Sequence, residues 1–272
     1  MHDMLTQAQA PFRVWGEAGA RPVLALHCSL AHAGAWSGVA QRLPGVALTA
    51  FDQPGHGKAA DWDGQSDLQT LTTRITADFA ERLGGGGPID LIGHSFGATV
   101  ALRLALERPD LVRSLALVEP VIFAAARAAG SPAFAPFIAG HSAFEDAVRA
   151  GRRDEGAALF NAEWGGGTAF ADLPPAQQRY MLERIHLIVA QGPALSQDTG
   201  GLLSYLRLES LGVPVLLIEG AASPPVIDAI QTELARRLPM VTRLIVPGAA
   251  HMVPITHPQE VAAGIAAHLA RA

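Results

Sequence analysis

The segment Gly93-His94-Ser95-Phe96-Gly97 combines a hydroxyl nucleophile with glycines two residues before and two residues after it. An apolar segment precedes it and a helical pattern follows it, which is the strand, turn and helix order that a nucleophile elbow requires. On such a turn the serine hydroxyl projects above the sheet, and glycine permits the close approach of neighbouring backbone. The helix N-terminus also stabilises negative charge that develops on the attacked group. The pattern predicts Ser95 as a nucleophile.

A serine hydroxyl attacks well only when a base takes its proton. Of the ten histidines, His251 is the one that lies directly after the last predicted strand, in a loop that contains glycine. Loops that follow parallel strands meet at one edge of a sheet, so His251 can reach Ser95. We therefore predict His251 as the general base. We expect His56, His94 and His257 to hold loops by hydrogen bonding.

Short apolar segments recur along the chain with helical patterns between them, as expected for a parallel sheet that is buried on both faces. The predicted strands cover residues 22–26, 46–51, 89–92, 115–118, 215–218 and 244–246, with residues 12–15 as an edge strand. Helical patterns cover residues 68–83, 96–106 and 260–270. The sequence predicts an α/β fold with a mostly parallel central sheet flanked by helices.

This alternation stops after Glu119 and resumes at Pro214. A loop of that length without secondary structure would be unusual in a compact domain. Helical patterns at residues 143–150, 156–163 and 175–190 instead favour a helical insertion that lies over the sheet.

Composition excludes several classes of protein. The net charge is −5, and no cluster of Lys and Arg forms a surface for a phosphate backbone, so nucleic acid is not an expected partner. No apolar stretch approaches the roughly 18 residues of a membrane span, and the N-terminus lacks a secretory signal, so we expect a soluble, cytoplasmic protein. Cys28 is the only cysteine, which excludes an intrachain disulfide and a cysteine-based metal site.

Four segments resemble the α/β-hydrolase superfamily over nearly the full length of the chain: Leu26-His27-Cys28-Ser29, Asp52-Gln53-Pro54-Gly55-His56-Gly57, the elbow at Ser95 and the loop of His251. The resemblance implies an α/β-hydrolase core formed by residues 1–120 and 212–272. It also implies that residues 121–211 form a helical cap. Neither a cofactor nor a metal is implied.

By the same resemblance, the oxyanion of an acyl-transfer intermediate is bound by the backbone N–H groups of Phe96 and of Ser29 or its neighbour in the loop of His27. Each such donor contributes about 3 to 4 kcal/mol to a transition state. Cys28 stands where the family usually has glycine.

The acid that orients the histidine is the main departure from the family pattern. The family usually has an aspartate after the strand at residues 215–218, but Ser223 stands at that position. Some members carry the acid after the preceding strand instead, and there this chain has Glu119. We predict Glu119 as the acid, with Glu219 and Asp228 as the alternatives.

The resulting hypothesis is a serine hydrolase that cleaves a carboxylic ester of a small to medium apolar molecule through an acyl-enzyme. A serine nucleophile argues against dehalogenases and epoxide hydrolases, which resemble this fold but use aspartate. Hydrolysis of a carbon–carbon, thioester or amide bond stays open, as does a ligand sensor with little turnover. We expect a small-molecule substrate and a monomer or homodimer. The aromatic candidates for the pocket wall are Phe123, Phe137, Phe160, Trp164 and Tyr180.

Overall fold

A seven-stranded sheet forms the centre of the protein, of which the computed structural model describes residues 10–272. The strands are β1 (Phe12–Trp15), β2 (Arg21–Leu26), β3 (Val46–Phe51), β4 (Ile89–His94), β5 (Val112–Val118), β6 (Val215–Gly220) and β7 (Val241–Val246). Their order across the sheet is β1-β3-β2-β4-β5-β6-β7, and β1 pairs antiparallel with β3 whereas the other pairs are parallel. All of the predicted strand positions are confirmed, and so is the α/β fold class.

Helices cover both faces of this sheet, which explains why its inner strands are apolar without interruption. On β2, Leu24 and Leu26 pack into the core on one face, whereas Val23 and Ala25 pack into the core on the other. The helices are α1 (Ser37–Ala40), α2 (Leu68–Gly84), α3 (Phe96–Glu107), α4 (Phe123–Ala128), α5 (Phe134–Arg149), α6 (Arg153–Trp164), α7 (Pro175–Arg184), α8 (His186–Ser196), α9 (Pro225–Arg237), α10 (Val253–Thr256) and α11 (Pro258–Leu269).

A buried carboxylate ties together the three strands that lead to the chemical groups. Asp90 on β4 is 1% exposed and binds Arg21 at the start of β2, with Nε to Oδ2 at 2.6 Å. It also accepts hydrogen bonds from Arg113 Nη1 at 2.9 Å and Ser114 Oγ at 2.7 Å, both on β5. These contacts hold β2, β4 and β5 together at the end of the sheet opposite Ser95.

Residues 121–211, called the insertion below, leave the sheet after β5 and return to it before β6. They form α4 to α8. Within the insertion α5 packs on α6, and α8 packs on α2 of the core. The helical pattern at residues 175–190 is divided at Ile185 into α7 and α8. Within residues 10–272 no helix combines the length and apolar character that crossing a membrane requires.

Candidate active site

Ser95 lies on a strained turn between β4 and α3. Its φ is 55° and its ψ is −119°, a conformation that residues with a side chain rarely adopt. A Cβ atom at Gly93 would lie 2.5 Å from Ala98 Cα, and one at Gly97 would lie 2.5 Å from the Leu26 carbonyl oxygen. Both glycines of the elbow are therefore required, because only their lack of a side chain lets α3 start this close to β4 and β2.

The three residues predicted for catalysis form one chain of hydrogen bonds. His251 Nε2 lies 3.0 Å from Ser95 Oγ, and His251 Nδ1 lies 2.5 Å from Glu119 Oε2. The exposed fractions are 6% for Ser95, 5% for His251 and 0% for Glu119. The loops after β4, β5 and β7 thus bring a hydroxyl, a carboxylate and an imidazole to one buried point.

Glu119 is held by more than the histidine. Its Oε1 accepts hydrogen bonds from the Gly220 N–H at 2.7 Å and from the Ser223 hydroxyl. Burial by itself would raise the pKa of Glu119. The hydrogen bond and charge of His251, together with the two further donors, outweigh burial and hold the pKa below its usual value. Glu119 is therefore a carboxylate at neutral pH, and its φ of 46° marks a second strained position.

The two alternative acids lie elsewhere. Glu219 and Asp228 both pair with Arg243, in the case of Asp228 through Oδ1 and Nη2 at 2.9 Å. Ser223, at the position where the family usually has its acid, supplies a hydrogen bond to Glu119 instead. In the sequence, Ser223 indicated only that the usual aspartate is missing. Its contact with Glu119 was not predicted.

A second histidine supports the loop of the first. His94 Nε2 lies 2.8 Å from the backbone oxygen of His251, and the two ring centroids are 5.1 Å apart. Burial, and then the charge of His251, lowers the pKa of His94 to about 3. His94 is therefore neutral, and as a donor it fixes the backbone of His251. His56 and His257 likewise form hydrogen bonds within their loops, to the Pro54 oxygen and to Thr256 Oγ1.

The loop that contains Ser29 is joined to the loop that follows β3. His27 Nε2 accepts a hydrogen bond from the Gln53 N–H at 3.0 Å, so its Nδ1 carries the hydrogen and donates to the Cys28 oxygen at 2.8 Å. Asp52 accepts from the backbone N–H groups of Ala33 and Lys58 at 2.8 and 2.9 Å. Two of the four family-like segments therefore brace each other beside Ser95.

Phe96 and Ser29, the predicted oxyanion donors, belong to two segments next to the nucleophile. Phe96 is the first residue of α3, where backbone N–H groups have no partner within the helix. Ser29 lines the same cavity as Ser95, and its hydroxyl donates to Gln191 Oε1 at 2.7 Å.

A cavity of about 150 Å³ opens at Ser95 and His251. Its wall is mainly apolar and comes largely from the insertion, including Phe123, Phe160, Trp164, Leu173, Met181 and Ile188. The Trp164 ring packs edge-on against His251, with ring centroids 4.5 Å apart. The insertion therefore shapes the space above the serine and also shields the histidine from water.

Two of the five aromatic candidates do not line this cavity. Phe137 lies behind Phe123, with ring centroids 4.4 Å apart. The Tyr180 hydroxyl accepts from the Gly57 N–H and donates to the Ala31 oxygen, both at 2.9 Å, and so joins the insertion to the two braced loops. The sequence does not indicate whether an aromatic residue of the insertion lines the cavity or packs elsewhere.

The part of the chain that the structure describes contains no cluster of side chains suited to binding a metal ion. No group of three or more His, Cys, Asp or Glu side chains there is arranged to hold an ion.

Comparison with known proteins agrees with this fold. Residues 23–264 match the sequence model of the Alpha/beta hydrolase family. Lipase LipV of Mycobacterium tuberculosis is 28% identical over 270 residues, which cover 94% of this chain and 95% of that protein. Human monoglyceride lipase is 29% identical over 122 residues, which cover 41% of this chain and 39% of that protein. The crystal structure of a hydrolase from Pseudomonas aeruginosa aligns with a TM-score of 0.72 at 19% identity, over 95% of this chain and 93% of that one.

Proposed function

The chain belongs to the alpha/beta hydrolase family and is an ester-cleaving enzyme, and we propose that it works as a serine esterase through an acyl-enzyme on Ser95. The observation that supports this most strongly is the buried chain of hydrogen bonds from Ser95 Oγ through His251 to Glu119. A hydroxyl, a base and a carboxylate in this order are the parts that acyl transfer to serine needs.

In the first step His251 Nε2 takes the hydroxyl proton while Ser95 Oγ bonds to the ester carbonyl carbon. Glu119 stabilises the imidazolium that forms and keeps the neutral ring in the tautomer with hydrogen on Nδ1. The carbonyl oxygen becomes negative, and the N–H groups of Phe96 and Ser29 bind it.

The intermediate collapses when the alcohol leaves, and His251 gives that alcohol the proton it took from the serine. Water then attacks the acyl-enzyme, with His251 again as the base. The carboxylic acid is released, and the serine proton is restored. No step needs an oxidant, a reductant or a group outside the chain and water.

The insertion is the proposed cap, and its apolar wall favours a small to medium apolar substrate. A cavity of about 150 Å³ with a mainly apolar wall suits a short to medium acyl or alcohol group.

A series of p-nitrophenyl esters with acyl chains of two to twelve carbons tests the proposal directly. We expect turnover that is highest for short to medium chains and a single phosphonate label on Ser95. Ser95→Ala should lower kcat by a factor on the order of 10⁴ to 10⁶, with an unchanged fold by circular dichroism. Turnover that survives this substitution, or a label on another serine, contradicts the proposal. Tight ligand binding without turnover in the unsubstituted protein would indicate a sensor instead.

A further inference from the structure

Gln191 on α8 presents a buried hydrogen-bond donor that has no partner. The residue is 2% exposed. Its Oε1 accepts from the Ser29 hydroxyl at 2.7 Å, whereas its Nε2 forms no hydrogen bond with any residue from 10 to 272. Buried amide groups are usually satisfied, so an unsatisfied one points to a group that binds there when the protein works.

The amide lies on the cavity face of its helix. Ile188, Gln191 and Leu195 are spaced by three and four residues, and all three line the cavity that reaches Ser95. This spacing puts them on one face of α8. An apolar residue at position 191 would continue the wall but would leave the Ser29 hydroxyl without this acceptor. Ser29 therefore accounts for Oε1 of the glutamine, whereas Nε2 has no such partner.

The contact with Ser29 sets where the free donor lies. The Ser29 hydroxyl holds the Gln191 side chain through Oε1, and the backbone of the same serine is the proposed oxyanion donor. An oxygen that accepts from Nε2 would therefore belong to a substrate atom within a few bonds of the ester carbonyl.

The surroundings favour a neutral oxygen over a charged one. No Lys, Arg, Asp or Glu side chain of residues 10–272 lines the cavity. The one histidine there besides His251 is His141, whose Nε2 lies 3.6 Å from Glu145 Oε1. A carboxylate in this apolar space would lack a free cation, whereas an ether, hydroxyl or carbonyl oxygen needs only the amide donor.

From these contacts we propose that Gln191 determines specificity, and that the enzyme selects esters with a second, neutral oxygen within a few bonds of the scissile carbonyl. That oxygen accepts a hydrogen bond from Gln191 Nε2. The inference rests on the proposed esterase function and narrows its substrate class.

Matched esters that exchange one CH₂ for oxygen test it on each side of the bond. The acyl pair is p-nitrophenyl methoxyacetate and p-nitrophenyl butanoate, and the alcohol pair is 2-methoxyethyl butanoate and butyl butanoate. For each pair, kcat/KM of the oxygen ester divided by that of the alkyl ester is measured in the unsubstituted protein and in Gln191→Met. Comparing the two proteins cancels the intrinsic reactivity of the esters.

We expect this ratio to fall about tenfold in Gln191→Met in one of the two pairs, which identifies the side that carries the oxygen. Gln191→Glu keeps the size of the side chain and an acceptor for Ser29 but lacks Nε2, so it should lose the preference as well. The exposed Gln197, just beyond α8 and outside the cavity wall, provides the control, and Gln197→Met should leave both ratios unchanged.

Equal ratios in the unsubstituted protein and Gln191→Met, in both pairs, overturn the inference while turnover that depends on Ser95 leaves the esterase function standing. Dissociation constants of the same esters for Ser95→Ala and for Ser95→Ala with Gln191→Met give a readout without turnover. If the oxygen esters bind no better than the alkyl esters to Ser95→Ala, the inference is wrong even where no hydrolysis is seen.

Discussion

The loops at the carboxyl edge of the sheet and the insertion above them hold their side chains in different ways. At the sheet edge, Ser95 and Glu119 have positive φ angles, and Glu119 Oε1 has two donors besides the contact of Oε2 with His251. In the insertion, most of the cavity wall is apolar and held by packing, as in the contact of Phe123 with Phe137. Groups that must meet a reacting atom are fixed by backbone and hydrogen bonds, whereas most groups of the cavity wall are fixed by packing.

The difference follows from what each region must do. A transition state is stabilised by dipoles that are already oriented, so strain of about 1 to 3 kcal/mol at a residue such as Ser95 is tolerated when the surrounding structure determines it. A substrate pocket needs shape, and packed apolar side chains can change shape by substitution without altering those dipoles.

Contacts that cross the boundary between the two regions include those of Trp164 with His251, of Tyr180 with Gly57 and Ala31, and of Gln191 with Ser29. The insertion therefore lines the cavity and also contacts the loops that carry the chemical groups. Substitutions at these contacts measure how far the two regions act separately.

After Ser95→Ala, loss of the Glu119 carboxylate should have the largest effect, because this group acts directly on His251 at the sheet edge. Glu119→Gln keeps the shape of the side chain but removes the charge that stabilises imidazolium, so we expect kcat to fall by a factor on the order of 10⁴. In the double variant Glu119→Gln with Ser223→Asp, the new carboxylate starts from a residue already in contact with position 119, and part of the activity should return. Full activity in Glu119→Gln would remove Glu119 from the mechanism.

Trp164→Ala should change both selection and chemistry, since its ring lines the cavity and contacts His251. We expect longer acyl chains to be accepted and kcat for short esters to fall about tenfold as water reaches the imidazole. Phe160→Ala is the matched control, because Phe160 lines the cavity and packs near Trp164 instead of the histidine. If both variants change only the chain-length profile, the Trp164 contact has no part in the chemical step.

The buried histidines at the carboxyl edge of the sheet should also affect how stability depends on pH. Burial, as the largest cause, lowers the pKa of His56 to about 4 and of His94 to about 3, and it holds that of His27 well below its usual value. Between these values and about 6.5, the unfolded chain binds protons that the folded protein does not, so the free energy of unfolding decreases as pH falls through this window. Each histidine contributes a slope of up to about 1.4 kcal/mol per pH unit.

Urea unfolding at pH 7, 6 and 5 measures this slope. His56→Asn keeps a donor near the Pro54 oxygen and should reduce the slope by up to about 1.4 kcal/mol per pH unit, the contribution of one proton. If the slope is the same in His56→Asn and in the unsubstituted protein, the lowered pKa of His56 is not a cause of the pH dependence.

The smallest effect is expected at the Tyr180 hydroxyl, which joins the regions without touching the reacting groups. Tyr180→Phe leaves the Gly57 N–H and the Ala31 oxygen without this partner, and we expect a loss of about 1 kcal/mol in stability and a several-fold fall in kcat/KM. The second tyrosine of the chain, Tyr205, is 90% exposed, so Tyr205→Phe is the control and should change neither quantity. Equal melting temperatures for the two variants would show that the hydrogen bonds of the Tyr180 hydroxyl do not stabilise the protein.

The strands, the elbow and the positions of Ser95 and His251 along the chain could all be predicted from the sequence. Apolar segments, glycine at a tight turn and a histidine after the last strand are local patterns. They can be recognised in short stretches of sequence before the fold is known. The order of parallel strands also made Glu119 a candidate, because adjacent strands end at one edge.

Contacts of side chains outside the family-like motifs could not be predicted in this way. Ser223 binds Glu119 across 104 residues of sequence, and Gln191 binds Ser29 across 162. Each depends on where a helix or loop comes to rest against the sheet, and several helices of similar composition could take that place. Only tertiary packing decided which polar groups of the insertion reach Ser95, because a side chain's partner is set by three-dimensional distance and its sequence neighbours carry no record of it.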